Sequence, residues 1–484
     1  MIKKRALDAM ETSIDQVSAA DAKVTGLLLD EFKGEPLAIA HFFKKTGQEK
    51  LPADGAALKP QRDPPVDANE PATAPPPTKA KKRRTSKSAC ASPLIETAEA
   101  KKRRTEARAK RHADLDHRKF WKLASGRCVE DILFEAAVRG HANVKQRSYT
   151  IDFNCERTKS LFKDAEWNEI KAFDNFALPK LPKSTTDYVL AVRSALRRGE
   201  HPASVPVPRD DRYSCDLVLR TFLSWTSLYA EEPSPFANSA LTEAFWCREA
   251  WPLLKNLLSD VKGISMIDGE KHGTESSRHR NRSRVADQES TTTRKRSGAK
   301  LDLIAHDSVN KRDWFVVESP KEWDEQSTKF LKELDVKVFR NLHLIAAHRL
   351  AEPHSTEFRK EARFFSLYAG GRGFVTMEVR PCPASGYVML AHTYDMFILP
   401  STIGSWTHQC RGLTFLLQIR GCMKTTIAKY NECIRKQEEA ATRDEDSDHD
   451  AWLYQPSRPH VFDSTLCSSP IDPEDDDDLD GDLE

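Results

Sequence analysis

The sequence contains no long hydrophobic run, and its apolar stretches are only a few residues long, as at Leu27–Leu29. A helix that crosses a bilayer needs about 20 consecutive apolar residues, so we expect no membrane-spanning segment and no membrane partner. The first residues include Lys3, Lys4 and Arg5, but no apolar stretch follows them. The sequence therefore argues against a secretory signal.

Motifs for several common chemistries are also missing. The ten cysteines include no CxxC pair, and no cysteine is grouped with histidine at zinc-finger spacing. We expect reduced, mostly buried thiols, as is typical of cytosolic or nuclear proteins. No GxSxG, P-loop or GxGxxG motif occurs, so a serine-hydrolase site and a nucleotide-binding loop have no support.

The sequence has little net charge, +2 over 484 residues, because two strongly charged segments cancel each other. Residues 79–111 carry 13 Lys or Arg against 3 Asp or Glu, and residues 472–484 carry 9 acidic residues and no basic ones. The same basic tetrad occurs twice, as Lys81-Lys82-Arg83-Arg84 and as Lys101-Lys102-Arg103-Arg104. We interpret the tetrads as nuclear-import signals that bind an import receptor; phosphate contacts or a charge run without a role are the alternatives.

Changes in composition divide the chain into five segments. Residues 1–45 contain modest apolar clusters that suit short helices, whereas residues 46–113 are rich in proline and basic residues and are expected to be disordered. Apolar periodicity predicts a helical subdomain over 114–235 and an α/β domain over 236–440. The acidic tail, 441–484, is expected to be disordered; it mimics nucleic acid, binds a basic partner or only aids solubility.

Within 236–440 the predicted elements alternate between strands and helices. The predicted strands are Val261–Ile267, Ala299–Ala305, Trp314–Ser319, Phe364–Tyr368, Phe374–Val379 and Tyr387–Ala391, and the predicted helices include Thr328–Leu350 and 404–435. The polar stretch 271–296 holds 8 Lys or Arg and 3 Asp or Glu. It is predicted to be a loop that either guides nucleic acid toward the next strand or is a surface insertion.

The predicted strands Ala299–Ala305 and Trp314–Ser319 form a hairpin in which two acidic residues face each other. A hairpin centred near Asn310 pairs residues whose numbers sum to 620, which places Asp302 opposite Glu318 with Cβ atoms roughly 5 Å apart. Like charges in this position destabilise a sheet unless a cation lies between them, and carboxylate oxygens suit Mg²⁺ or Mn²⁺. The sequence therefore predicts a metal site at Asp302 and Glu318, with Lys321 near the same strand end.

This arrangement resembles the PD-(D/E)XK (restriction-endonuclease-like) nuclease superfamily, in which two acids on neighbouring strands bind metal and a nearby lysine positions or activates water. The resemblance implies a restriction-endonuclease-like mixed sheet flanked by helices. It also implies a metal-dependent nuclease that acts on or binds nucleic acid, and the basic tetrads predict that the protein does so in the nucleus. Matched by position, the catalytic residues are Asp302, Glu318 and Lys321, with Glu243 as the candidate acid from the preceding helix.

Residues 118–435 are also similar to an expanded group of fungal proteins, a likeness that implies no particular activity. The similarity is found at two places. The first is the start of the region, with Trp121-Lys122-Leu123, Gly126 and Val129-Glu130-Asp131, and the second is a later stretch with the pattern Gly…Asp-Leu…Glu-x-x-Lys…Thr-Lys.

The position of the lysine departs from the superfamily pattern. Two residues separate Glu318 from Lys321 where the superfamily has one, and on a regular strand this spacing places the two side chains on opposite faces. A bulge at Pro320 would bring the lysine back, and Lys329 or Lys332 on the following helix could replace it. The alternative is a catalytically inactive, DNA-associated interaction protein that keeps the nuclease fold, in which Asp302 is a solvated edge residue and Glu318 pairs with Lys300 or Lys321.

Overall fold

The computed structural model describes residues 98–445, except 141, 238–244, 246–248, 287–296, 321–329, 331–332, 353–354, 371 and 405. All described residues belong to one unit, Ala91–Glu484. The segment 1–45, most of 46–113 with its first basic tetrad, and the tail after residue 445 lie outside the described residues. Within the described part, no helix is long and apolar enough to cross a membrane.

The first half of the described chain is mainly helical but also contributes a strand. Its helix α2 is followed by Gly140, whose φ of +77° is a backbone conformation that favours glycine. The elements are α1 (Ala98–Ala113), α2 (Val129–Val138), α3 (Val144–Arg147), β1 (Thr150–Asp152), α4 (Glu156–Lys159), α5 (Asp164–Lys171), α6 (Lys183–Arg197) and α7 (Arg212–Ala230).

The second half alternates between strands and helices, and each of the predicted strands overlaps an observed one. The elements are α8 (Pro252–Lys255), β2 (Ile264–His272), α9 (Thr274–Ala286), β3 (Lys300–Asp307), β4 (Arg312–Glu318), a π-helical segment (Glu333–Val338), α10 (Phe339–Ala351), α11 (Thr356–Glu361), β5 (Phe364–Gly370), β6 (Gly373–Pro381), β7 (Met389–Thr393), β8 (Phe397–Ile398) and α12 (Thr407–Glu445).

The strands form one eight-stranded mixed sheet in the order β1-β7-β6-β5-β4-β3-β2, with β8 paired to β6. The β1–β7 and β4–β5 pairs are parallel, and the other neighbouring pairs are antiparallel. Helix α10 contacts β4, β5 and β6, and α12 contacts β5. The described chain is therefore an α/β structure with a mixed sheet flanked by helices, and the predicted fold class is confirmed at this level.

The sheet and the helices that precede it share a hydrophobic core. One cluster of buried side chains includes Val192 and Phe222 from the helical half, Phe315 and Leu367 from the sheet, and Leu416 from α12. Fully burying a side chain of this size stabilises the folded state by roughly 1.5–3 kcal/mol. Strand β5 is buried at every position, which explains why its residues do not alternate between apolar and charged ones.

The structure corrects the expected disorder at the end of segment 46–113, because α1 contains the second basic tetrad. Alanines on both sides of the tetrad favour the helix. The last turn is also held in place: the His112 ring stacks on Phe134 with ring centroids 4.0 Å apart, and Nδ1 of His112 lies 2.7 Å from Oη of Tyr149. Composition alone missed this helix because the residues that hold it come later in the chain.

The polar stretch 271–296 is also not a simple loop. Strand β2 reaches His272, and α9 begins two residues later. The backbone N–H groups of Thr274 and Glu275 both donate to Oδ2 of Asp313, at 2.5 and 3.3 Å, so a carboxylate of β4 caps the helix. Because Asp313 lies 39 residues after Thr274, the composition of the stretch gives no sign of this cap.

Candidate active site

The β3–β4 hairpin has the register that the sequence predicts near the two acids. Leu303 pairs with Val317, Ile304 with Val316 and Ala305 with Phe315, so each pair sums to 620; the register shifts only beyond Ala305, toward the turn. Continued by one residue, the same register places Asp302 opposite Glu318.

The two carboxyl groups lie close together. Oδ2 of Asp302 accepts a hydrogen bond from the backbone N–H of Ser319 at 2.6 Å, which ties Asp302 to the end of β4. Asp302 is half-buried and Glu318 is only 3% exposed. Burial raises the pKa of Glu318 well above its usual range, and the neighbouring Asp302 carboxylate raises it further, whereas Lys337 opposes the shift. The strands therefore place the carboxyl group of Asp302 beside Glu318, whose charged form is already disfavoured by burial.

The lysine of the site is Lys337, from the π-helical segment. Its Nζ lies 2.6 Å from Oε2 of Glu318, and its side chain is 33% exposed. Burial alone would lower the pKa of Lys337, but the carboxylates of Glu318, Asp302 and Glu333 outweigh it and the pKa is raised. The ammonium group therefore stays protonated and reaches both the buried acid and the surface.

Tyr368 and Glu333 complete the charged cluster. Tyr368 is the register partner of Glu318 on the neighbouring strand β5, and its Oη donates a hydrogen bond to Oε2 of Glu333. Burial, followed by the carboxylate of Glu333, raises the pKa of Tyr368. Glu333 lies four residues before Lys337 in the π-helical segment. Three neighbouring elements, β3, β5 and the π-helical segment, thus supply the polar groups around Glu318.

Strand β2 is irregular beside Asp302. Its pairing with β3 shifts between Asp268, opposite Leu303, and Lys271, opposite Leu301, so that two residues of β2 stand opposite Asp302. The first of them, Gly269, has a φ of +88°, as in a bulge that begins with glycine. Such bulges occur often next to active sites. The edge strand therefore departs from regular pairing at the position of the first acid.

The other predicted site residues are not brought together here. Lys321 and Glu243, and the substitutes Lys329 and Lys332, lie outside the described residues. The acids are thus found side by side, but the lysine in contact with Glu318 is one that the sequence argument missed. Its weak sequence signal is the four-residue spacing of Glu333 and Lys337 at the start of an amphipathic helix, which many surface helices share.

The donor set of Asp302 and Glu318 fits a hard divalent cation. Mg²⁺ is usually bound through one or two carboxylates and keeps several waters. Among the described residues, no group donates a hydrogen bond to the buried Oε1 of Glu318, so the ionised form of Glu318 leaves an acceptor oxygen for a further ligand. The same described residues contain no group of three or more His, Cys, Asp or Glu side chains that could hold a metal. A cation here would rest on two protein carboxylates.

Comparison with known proteins adds no relative to this picture: no family model, no curated protein and no solved structure matches the chain.

Proposed function

We propose that this protein is a metal-dependent phosphodiesterase of nucleic acids, with a restriction-endonuclease-like domain in residues 236–440. The observation that carries the proposal is the convergence of Asp302, Glu318 and Lys337 at one end of the β3–β4 hairpin, with Lys337 Nζ 2.6 Å from Glu318.

The strand arrangement supports the resemblance to the nuclease superfamily. The two acids lie on consecutive, adjacent, antiparallel strands, in the chain order of the superfamily motif. The lysine comes from the helical segment after β4 instead of from the strand itself. Because the chemistry requires an ammonium group near the acids and not a given sequence position, Lys337 takes the role that the motif assigned to Lys321.

The charges of the cluster favour a bound cation. Asp302, Glu318 and Glu333 bring three carboxyl groups into one cluster, and Lys337 pairs with Glu318. A carboxylate buried as deeply as Glu318 is stabilised only by pairing or by metal coordination. Mg²⁺ or Mn²⁺ beside Asp302 and Glu318 would supply such coordination.

Each protein group then has a definite task. Asp302, held by the N–H of Ser319, and Glu318, held by Lys337, would hold the cation. When bound, the cation supplies Lewis-acid polarisation of a phosphate oxygen and lowers the pKa of a coordinated water. The Lys337 ammonium offsets negative charge that develops on the phosphate, because its side chain remains one-third exposed.

The basic tetrads support a nuclear location and an import receptor as a partner. Lys101-Lys102-Arg103-Arg104 lies in α1, and Lys81-Lys82-Arg83-Arg84 lies outside the described residues. Dense clusters of Lys and Arg also attract the phosphate backbone of nucleic acid, so that the same residues favour the proposed substrate.

One observation favours the inactive alternative. Lys337 already compensates Glu318 without a metal, and the described residues contain no group of three His, Cys, Asp or Glu side chains that could hold one. A protein of this kind would bind nucleic acid or a nuclear partner and leave the phosphodiester intact.

The test is incubation of the full chain with labelled single- and double-stranded DNA and RNA, with and without Mg²⁺ or Mn²⁺. We expect cleavage that requires the metal and that is lost in Asp302→Asn, Glu318→Gln and Lys337→Met. The control is Glu135→Gln, which alters an exposed glutamate that forms a surface ion pair with Arg139. Binding without cleavage would establish the inactive alternative, and equal cleavage by Asp302→Asn would contradict the proposal.

A further inference from the structure

The π-helical segment Glu333–Val338 is attached to three different elements by its charged side chains. Glu333 accepts a hydrogen bond from Tyr368 on β5, and Lys337 pairs with Glu318 on β4. The third charged residue, Asp335, binds an element of the helical half. Its Oδ1 lies 2.8 Å from Nζ of Lys145, a residue of α3 in the helical half of the chain.

Lys145 is itself firmly held. Its Nζ lies 2.7 Å from Oδ2 of Asp152 on β1, and the side chains of Lys145 and Asp152 are 5% and 4% exposed. Burial alone would lower the pKa of Lys145, but the carboxylates of Asp152 and Asp335 outweigh it and the pKa is raised. The same ammonium lies over the ring of Phe339, the first residue of α10, at 5.7 Å. Lys145 is thus a charged bridge between β1 and the start of α10.

A π-helical turn needs such support. Its hydrogen bonds run from residue i to i+5, the conformation is rare, and it occurs mostly as short interruptions of α-helices at functional sites. Here the turn leads directly into α10 and ends one residue after Lys337. Any relaxation of the turn toward an ordinary α-helix would rotate Lys337 relative to Glu318.

We propose that Lys145 is a positioning residue for the candidate active site: by binding Asp335 it fixes the π-helical turn that presents Lys337 to Glu318. This inference rests on the proposed function of the site. It assigns the helical half of the chain a part in the site, because both Lys145 and its second partner Asp152 belong to that half.

The test variant is Asp335→Asn, which removes the ionic contact but leaves the buried Lys145–Asp152 pair in place. Asp335 is half-exposed, so the variant is expected to fold. The matched control is Asp187→Asn, which breaks an exposed lysine–aspartate pair of α6 far along the chain from the site. A second variant, Lys145→Arg, keeps the positive charge and is expected to retain most of the activity.

Two measurements separate positioning from general stability. Hydrogen exchange by mass spectrometry is expected to speed up over residues 333–339 in Asp335→Asn and to stay unchanged in Asp187→Asn. With Mn²⁺ and the form of nucleic acid that the wild type cleaves, kcat is expected to fall roughly 10- to 100-fold in Asp335→Asn with little change in KM.

Unchanged exchange over 333–339, or faster exchange with an unchanged kcat, would overturn the role of Lys145 while the wild type remains active. A wild type that shows no metal-dependent cleavage would instead overturn the proposed function, and with it the role of Lys145 at the site.

Discussion

Glu318 experiences two opposing influences. Its burial favours the neutral carboxyl group, whereas the ammonium of Lys337 favours the carboxylate. Burial is the stronger influence, since the pKa is raised well above its usual range. Asp302 adds to this effect, and its own carboxylate is held in place by the backbone of Ser319. The pair is therefore strained electrostatically in a way that a cation would relieve, as in sites where stability is given up for function.

The Asp302→Asn variant tests how the negative charge of Asp302 affects cleavage and stability. The amide keeps an oxygen for the N–H of Ser319 but removes the negative charge, so we expect metal-dependent cleavage to fall on the order of 100-fold or more. At pH 8 without metal, the same variant is expected to be more stable by roughly 0.5–1 kcal/mol, because the repulsion between the ionised carboxylates of the two strands is gone. Cleavage assays and denaturant unfolding measure the two effects; lower stability together with normal cleavage would contradict both.

Glu318→Gln tests the raised pKa through the pH dependence of stability. A carboxyl group whose pKa is higher in the folded state stabilises the fold fully below its unfolded pKa, and this contribution is lost as the pH rises through the folded pKa. We therefore expect the substitution to raise Tm more at pH 8 than at pH 5 in metal-free buffer. The measurement is thermal unfolding of the wild type and of Glu318→Gln at the two pH values. An equal difference in Tm between the two proteins at both pH values would mean that the pKa of Glu318 is not raised.

At the scale of elements, the predicted register of the hairpin is found at the acids, but the turn alone does not set it. The pairs next to the turn sum to 619, and one extra residue of β4, Trp314, shifts the pairs nearer the acids to 620. Oδ1 of Asp307 accepts hydrogen bonds from the N–H groups of Val309 and Asn310, both at 3.0 Å, and so fixes the turn. The partner of Glu318 could not be predicted in the same way. The position of Lys337 depends on a π-helical turn and on how that turn packs against β4 and β5, which no local pattern reports.

Gly269→Ala tests the bulge in β2. An added Cβ would meet no neighbouring atom within 4 Å, so the cost comes from the φ of +88° alone. For a residue other than glycine this conformation costs roughly 1–2 kcal/mol, and we expect a loss of stability of that size. The control is Gly404→Ala, which also has open space but whose φ lies outside the left-handed region. Equal stability of the two variants would mean that the bulge relaxes without cost.

At the scale of the whole molecule, the sequence indicated the fold class but not how closely the two halves are joined. The alternation of strands and helices predicts an α/β structure, and the mixed sheet is observed. Strand β1, however, is only three residues long, too short for a periodic pattern, and its parallel pairing with β7 joins residues more than two hundred positions apart. The contact of Lys145 with Asp335 likewise joins residues that are far apart in the sequence.

The basic tetrads make a prediction for the whole chain. Replacement of Lys81, Lys82, Arg83 and Arg84 by alanine, alone and together with the tetrad at 101–104, is expected to lower the nuclear-to-cytoplasmic ratio of a fluorescent fusion stepwise, because import receptors recognise dense clusters of basic residues. Alanine at Arg435 and Lys436, which form exposed ion pairs on α12, is the control. A nuclear-to-cytoplasmic ratio that does not change when both tetrads are replaced would contradict their role as import signals.

The most direct test of the proposed metal site is anomalous diffraction at the manganese edge from crystals of the full chain soaked in Mn²⁺. We predict one strong peak within coordination distance of the carboxylates of Asp302 and Glu318, and no peak there in Asp302→Asn. Crystals that take up no manganese at this position, with Lys337 still bound to Glu318, would contradict it.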